Sequence, residues 1–338
     1  MKVLVTGGAG YIGSHTAKRL AEQGFEPVVL DDFRSGHRWA VQWGELVEGD
    51  LADCGLLKRV FAEKKPGAVI HFAGEIRVGE SVRDPRKYFW ANCVNTLTLL
   101  DAMREAEVNS IVFSSSAAVY GAPEVVPIPE DHRLRPVSPY GESKLFVERI
   151  LCCYGVAFGL RWTALRYFNA CGADPGGGLG EAHDPETHLI PLAIEAALGA
   201  RPYLEVFGSD YPTADGTPLR DYIHVIDLAE AHVLAVRHLR DGGESCVLNL
   251  GTGQGRSVRE VINAVNQLAG NAGVPVREGA RRTGDPPSLV ADPSLSRRIL
   301  QWEPRHSTLE EIIETAWKWH ASRGNPPQST KTQTNHKL

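Results

Sequence analysis

Lys2-Val3-Leu4-Val5-Thr6-Gly7-Gly8-Ala9-Gly10-Tyr11-Ile12-Gly13-Ser14 decides how the rest of the chain reads. An apolar, β-branched run stops at a glycine cluster, and apolar residues resume at helical spacing through Tyr11, Ile12, Ala17 and Leu20. The pattern predicts a strand, a tight turn and a helix. Glycines in such a turn lack Cβ, so main-chain N–H groups can approach a phosphate closely, and the helix they open directs its positive dipole end at the same charge. Gly7, Gly10 and Gly13 therefore read as a pyrophosphate cradle, spaced one residue wider than the usual dinucleotide fingerprint. A second apolar run, Pro27-Val28-Val29-Leu30, ends in Asp31-Asp32, at the offset where an acid meets a ribose 2′-hydroxyl. A carboxylate there repels a 2′-phosphate, which favours NAD over NADP; Arg34 alone argues the other way.

With 338 residues, 43% of them hydrophobic and 23% charged, the chain is long enough for one large domain and a smaller one. Its net charge of −5, with no long basic block, argues against nucleic-acid and anionic-membrane binding, so local arginines must hold any phosphate. No apolar run approaches bilayer length, and the opening residues enter a strand directly instead of reading as a leader, so a cytoplasmic protein is expected. The six cysteines lack C-x-x-C spacing and read as reduced core thiols.

Up to about residue 170, strand-like and helix-like runs alternate. Glu45–Glu48, Ala68–Phe72, Ser110–Ser114 and Trp162–Tyr167 read as strands, with helices over about 54–63, 85–105 and from Ser138 onward. This alternation predicts an α/β fold, a doubly wound parallel sheet of the Rossmann type covered on both faces. Ligands of such sheets collect at the carboxyl ends of the strands. The residues there are Asp31, Asp50-Leu51, Phe72-Ala73-Gly74, Ser114-Ser115-Ser116 and Tyr167-Phe168-Asn169. Beyond about 170 the texture changes to Gly- and Pro-rich loops, which predicts a smaller lobe over 171–320, with elements from about 220–260 returning to the main body. Residues 321–338 have few apolar side chains and read as a disordered tail.

Pro139-Tyr140-Gly141-Glu142-Ser143-Lys144 carries the chemistry. Ser138 as N-cap and Pro139 at the first helical position put Tyr140 in the first turn and Lys144 one turn later on the same face. An ammonium and a helix N-terminus both favour a phenolate, so the tyrosine pKa is expected to fall towards neutrality, making it a usable proton acceptor. Ser116, at a strand end, is placed to hydrogen-bond the same substrate oxygen.

These residues together resemble the extended short-chain dehydrogenase/reductases and, within them, the UDP-glucose (UDP-galactose) 4-epimerase branch. Further matches are His71-Phe-Ala-Gly74, Val78-Gly-Glu-Ser81, Arg166-Tyr-Phe-Asn169, Phe207-Gly-Ser-Asp-Tyr-Pro212, Arg220-Asp-Tyr-Ile-His224 and Arg282-Thr-Gly-Asp285, so the resemblance spans nearly the whole chain. It implies a redox-neutral inversion at C4 of a UDP-sugar through a 4-keto intermediate, with Tyr140 moving the 4-hydroxyl proton and tightly held NAD taking and returning the hydride. Catalytic roles fall on Ser116, Tyr140 and Lys144. Cofactor contacts are implied for Tyr11, Ile12, Asp31, Asp32, Asp50, Leu51, Phe72, Ala73, Gly74, Asn92, Tyr167 and Phe168. Substrate contacts are implied for Ser116, Tyr140, Asn169, His188, Leu189, Phe207, Arg220, Arg282, Asp285 and Leu289. A homodimer through the helices at about 85–105 and 138–154 is implied as well.

The chain departs from the family pattern in places. Ala118 stands where a hydroxyl residue is frequent, Arg77 near a position that is lysine in some relatives, His188 where asparagine is frequent, and Leu289 where tyrosine or cysteine is known. His183 and His188 lie in a Pro- and Gly-rich loop without helical i, i+4 pairing, so no metal is expected there. His224, Asp227, Glu230 and His232 read as the polar face of a helix, and Trp317 and Trp319 as packing residues. The rival reading on the same fold is a nucleotide-sugar 4,6-dehydratase or decarboxylase, disfavoured because Ala117-Ala118-Val119 supplies no carboxylate after Ser116. A non-catalytic NAD-sensing protein is disfavoured by the joint presence of Ser116, Tyr140 and Lys144.

Overall fold

The computed structural model describes residues 1–270, 273–282 and 284–323. The opening run forms β1 (Lys2–Thr6), α1 (Tyr11–Glu22) and β2 (Glu26–Asp31). There follow β3 (Glu45–Glu48), α2 (Cys54–Lys64), β4 (Ala68–His71) and α3 (Val78–Arg83). The long helix expected over 85–105 is three pieces: α4 (Pro85–Phe89), a π turn over Trp90–Val94, and α5 (Asn95–Glu105). Next come β5 (Ser110–Ser116), α6 (Pro139–Phe158), β6 (Arg161–Tyr167), β7 (Asn169–Cys171), α7 (Leu189–Ala197), β8 (Leu204–Phe207), β9 (Leu219–His224) and α8 (Val225–Arg240). The chain closes with β10 (Cys246–Leu250), β11 (Gly255–Ser257), α9 (Val258–Ala269), β12 (Val276–Gly279), β13 (Ser288–Leu289), α10 (Ser294–Leu300) and α11 (Leu309–Ser322).

Seven parallel strands in the order β3-β2-β1-β4-β5-β6-β10 make the main sheet. The winding direction reverses between β1 and β4, which opens a crevice at the carboxyl ends of the strands. Both faces are covered, so the inner strands carry apolar runs such as Val3-Leu4-Val5, Val28-Val29-Leu30 and Ala68-Val69-Ile70, whereas the edge strand β3 is largely exposed. Alternate residues of one strand serve opposite layers. Val3 and Val5 join Leu20, Leu228, Val236 and Leu239 beneath α1 and α8, whereas Leu4 joins Leu57, Leu99, Met103, Val147 and Leu151 beneath α2, α5 and α6. β10 and α8 thus belong to the main sheet's layers although they lie beyond residue 220. The remaining strands form two small sheets, β9 with β7, β11 and β13, and β8 with β12. Their core is built from Ile190, Ile194, Val206, Tyr222, Val265 and Ile313.

Some sequence expectations need correction. His224, Asp227 and His232 are buried, not on a solvated face, and His224 ends β9 and caps α8, accepting from Ile226 N at 3.1 Å. Asp227 accepts the N–H groups of Arg305 and His306, both at 2.9 Å, and the Ser307 hydroxyl at 2.6 Å, so it ties α8 to the segment before α11. Of the cysteines, Cys171 is buried but Cys54, Cys152 and Cys153 are exposed, contrary to a set of core thiols. Trp319 is buried and Trp317 half-buried against the smaller core, in keeping with packing roles. The tail expected from 321 begins inside α11, and its residues 324–338 lie outside the described residues.

Candidate active site

The glycine turn is shaped by its own crowding. Gly7 has φ +71°, and a Cβ on it would stand 2.6 Å from the Ala73 nitrogen; one on Gly13 would stand 2.3 Å from the Gly7 carbonyl oxygen. Only glycine lets β1, α1 and the end of β4 meet this closely. Gly10 caps α1 without a side-chain hydrogen bond, and the first turn carries no acid, so the helix N-terminus is open to an anion. These features fit the pyrophosphate of NAD. Tyr11 gives its hydroxyl to the Gly172 carbonyl at 2.6 Å, and Ile12 packs into the core. What both offer a cofactor is their main-chain N–H.

Asp31, buried at the end of β2, accepts from Ala9 N and Phe33 N, each at 2.9 Å. Burial pushes its carboxyl up and these two bonds pull it back. Arg34 is engaged: Nε meets Asp32 Oδ2 at 2.6 Å and the guanidinium meets Asp50 Oδ2 at 2.7 Å. The one residue that argued for a 2′-phosphate is thereby neutralised by two acids. Leu51 is buried beside them. Asn92 acts as a brace. Its Oδ1 accepts from Glu75 N at 2.7 Å and its Nδ2 donates to Ser143 Oγ at 2.9 Å, joining the loop after Gly74 to α6. Arg77 pairs with Glu80 at 3.3 Å.

Ser138 caps α6, accepting from Gly141 N at 3.2 Å, with Pro139 in the first turn. Tyr140 and Lys144 follow on one face, beside the ends of β5 and β6. Burial raises the Tyr140 phenol above its ordinary value, and the nearby Ser116 hydroxyl, which accepts from Ala118 N at 3.1 Å, only partly offsets it. Lys144 Nζ donates to the Ser114 carbonyl at 2.8 Å and lies 5.8 Å from the Tyr140 ring. Burial lowers its pKa to about 8. The expectation that Lys144 draws the phenol towards neutrality is therefore not met by the chain's own charges: desolvation outweighs it, and the ammonium is bound to a main-chain oxygen. Tyr167 meets the Ser114 hydroxyl. His71, held between Thr6 Oγ1 at 2.7 Å and Thr96 Oγ1 at 2.8 Å, is kept neutral by burial, its pKa lowered to about 3.

Across the crevice lies a groove of about 400 Å³ that gathers Asn169, His188, Leu189, Phe207, Arg220, Arg282 and Asp285. Arg220 pairs with Asp285, and the Arg282 guanidinium stacks 4.1 Å from the Phe207 ring centre. Ser116, Tyr140 and Leu289 are not on this wall. Leu289 packs with Phe168 against Ala117 and Tyr120, and it pairs in register with Arg220. That pairing joins the groove to the small apolar cluster of Ala117, Tyr120 and Leu145. Sequence reasoning missed Arg201 and Tyr222, which also line the groove. No pattern announces Arg201; it follows α7 in a turn. The loop before α7 brings Glu181, His183, Glu186 and His188 together, although their spacing is not that of a helix.

Residues 3–251 match the family described as "NAD dependent epimerase/dehydratase family". A UDP-glucose 4-epimerase of Rhizobium leguminosarum bv. trifolii is 53% identical over 319 residues, 94% of this chain and 97% of that protein. The crystal structure of UDP-glucose 4-epimerase from Brucella ovis in complex with NAD matches with a TM-score of 0.92 at 53% identity, covering 94% of this chain and 97% of that one. The enzyme from Stenotrophomonas maltophila with bound NAD and formylated UDP-arabinopyranose matches with a TM-score of 0.92 at 42% identity, over 95% and 98% of the two chains. The matched segment runs through the glycine turn, Asp31, Ser116, Tyr140 and Lys144, and the chain belongs to the NAD dependent epimerase/dehydratase family.

Proposed function

We propose that this chain interconverts UDP-galactose and UDP-glucose by inverting C4 without net oxidation or reduction. The observation that carries the reading is that Ser116 ends β5 and Tyr140 opens α6 at the carboxyl edge of the sheet, while Asn169, Arg220 and Arg282 line a groove of about 400 Å³. The relatives' names and their NAD and UDP-sugar ligands support it.

Bound NAD supplies a reversible hydride acceptor beside the sugar. The chain's own residues do the rest. Arg220 and Arg282 hold the diphosphate, as charge-assisted bonds from guanidinium suit phosphate oxygens. Tyr140 takes the 4-hydroxyl proton and returns it, with Ser116 bonding the same oxygen. Lys144 bonds the cofactor ribose. Leu289 and Phe168 present apolar surfaces to the sugar, so a 4-keto ring can turn over while the nucleotide stays fixed.

No observation favours the dehydratase or sensor readings. The exposed side chains of Trp90, Val94, Leu97 and Phe146 on the π turn, α5 and α6 support pairing with a second copy through that face, which light scattering tests by the mass of the particle. Among the described residues no helix is long and apolar enough to cross a membrane. Free cysteines, some of them exposed, support the cytoplasm as the compartment. The activity is tested by giving the enzyme UDP-galactose with no added reductant: UDP-glucose forms without accumulation of NADH, and its absence overturns the reading.

A further inference from the structure

We propose that Glu181, His183, Glu186 and His188 bind a divalent transition-metal ion of the zinc class, at a site separate from Tyr140. One donor atom from each residue lies within 4.8 Å of all the others. His183 Nδ1 is 3.0 Å from Glu181 Oε1 and 3.7 Å from Glu186 Oε2; His188 Nδ1 is 2.6 Å from Glu181 Oε1 and 3.0 Å from Glu186 Oε1. A tetrahedral ion with bonds of about 2.0–2.2 Å needs its ligands roughly 3.3–3.6 Å apart. Small side-chain movements meet that requirement. Among the described residues this is the one such cluster.

The charge balance points the same way. Two carboxylates, both nearly inaccessible to solvent, converge on two ring nitrogens and call for two positive charges. One divalent ion supplies them at a single point, in place of two imidazolium rings whose centroids lie 5.2 Å apart. Imidazole with carboxylate suits zinc and its neighbours and not magnesium or calcium.

The cluster is also braced from outside. The Glu181 carbonyl accepts from Trp319 Nε1 at 2.7 Å, the Ala182 carbonyl bonds His37 Nε2 at 2.6 Å, and Glu186 Oε1 accepts the N–H of Thr187 at 2.6 Å and of His188 at 2.8 Å. Such bonds orient ligands before the ion arrives. His188 is about half exposed, 49%, and opens onto the groove, which provides the way in.

The test uses the untagged full chain, stripped with EDTA, equilibrated with Zn²⁺ alone, desalted, and measured by plasma mass spectrometry and titration calorimetry without substrate. One zinc per chain is expected, with a raised melting temperature, no comparable binding of Mg²⁺, and binding at least about tenfold weaker in His183→Ala and Glu181→Gln. Should Glu181→Gln fail to fold, His183→Ala, on a more exposed side chain, makes the comparison. Substoichiometric zinc in the wild type, or equal zinc in wild type and variants, overturns the proposal and leaves an ion-pair cluster. Because metal content is read without turnover, its outcome is independent of the epimerase assay.

Discussion

Lys144 donates to the main-chain carbonyl of Ser114 at 2.8 Å, and together with the Ser115 hydroxyl, which donates to Glu148 Oε1 at 2.5 Å, it holds α6 in register against the end of β5. The Ser114 hydroxyl in turn meets the Tyr167 phenol at the end of β6. The ends of two strands and the first turns of one helix are thus fixed to one another around Tyr140. A proton-transferring phenol needs such fixing, since small displacements from productive geometry are costly in rate.

Tyr140→Phe removes the acid/base hydroxyl and little packing. Turnover falls at least about 100-fold while NAD remains bound, measured by coupled assay and cofactor absorbance. An unchanged rate removes Tyr140 from the mechanism.

Arg220→Ala raises KM for the UDP-sugar by roughly 10- to 100-fold, the worth of a charge-assisted bond, with a smaller change in kcat. Arg282→Ala has a lesser effect, because its side chain is exposed on the groove rim, stacked on Phe207. A fall in kcat at unchanged KM contradicts a holding role.

Burial keeps several histidines neutral, with pKa lowered to about 4 for His15 and His232 and to about 3 for His71 and His224. As pH falls below 6.5 the unfolded chain takes up these protons and the folded chain does not. The contribution of these four residues is therefore complete above pH 6.5 and is lost towards pH 3–4, by up to about 1.4 kcal/mol per pH unit for each histidine. Calorimetric melting temperatures at pH 7 and pH 5 check this; equal values contradict it.

Glu148 and Arg166 form a buried two-pronged pair, with Arg166 Nε 2.9 Å from Oε1 and a terminal nitrogen 2.6 Å from Oε2. Glu148→Ala leaves the guanidinium buried and unpaired, and costs about 3–5 kcal/mol in denaturant unfolding. Replacing both residues with apolar ones costs less.

What the sequence revealed follows from locality. The glycine turn, Asp31, Ser116 and Tyr167 are legible because a parallel sheet delivers its strand ends to one edge, and Tyr140 with Lys144 because helical spacing is local. The direction of the Lys144 ammonium is not legible, since it depends on a carbonyl thirty residues earlier on β5. Asp227 was misread because helical periodicity does not distinguish a solvated acid from one that caps a distant segment. The segment carrying Glu181 is held by Trp319, whose ring lies against Gly180 and whose Nε1 donates to the Glu181 carbonyl at 2.7 Å, a long-range contact with no local signal.

The central claim is that one sugar carbon is oxidised and re-reduced in place. UDP-galactose carrying deuterium at C4 tests it most directly, with the product read by NMR. UDP-glucose that retains deuterium at C4 is the predicted result; deuterium lost to solvent or moved to C6 contradicts the account.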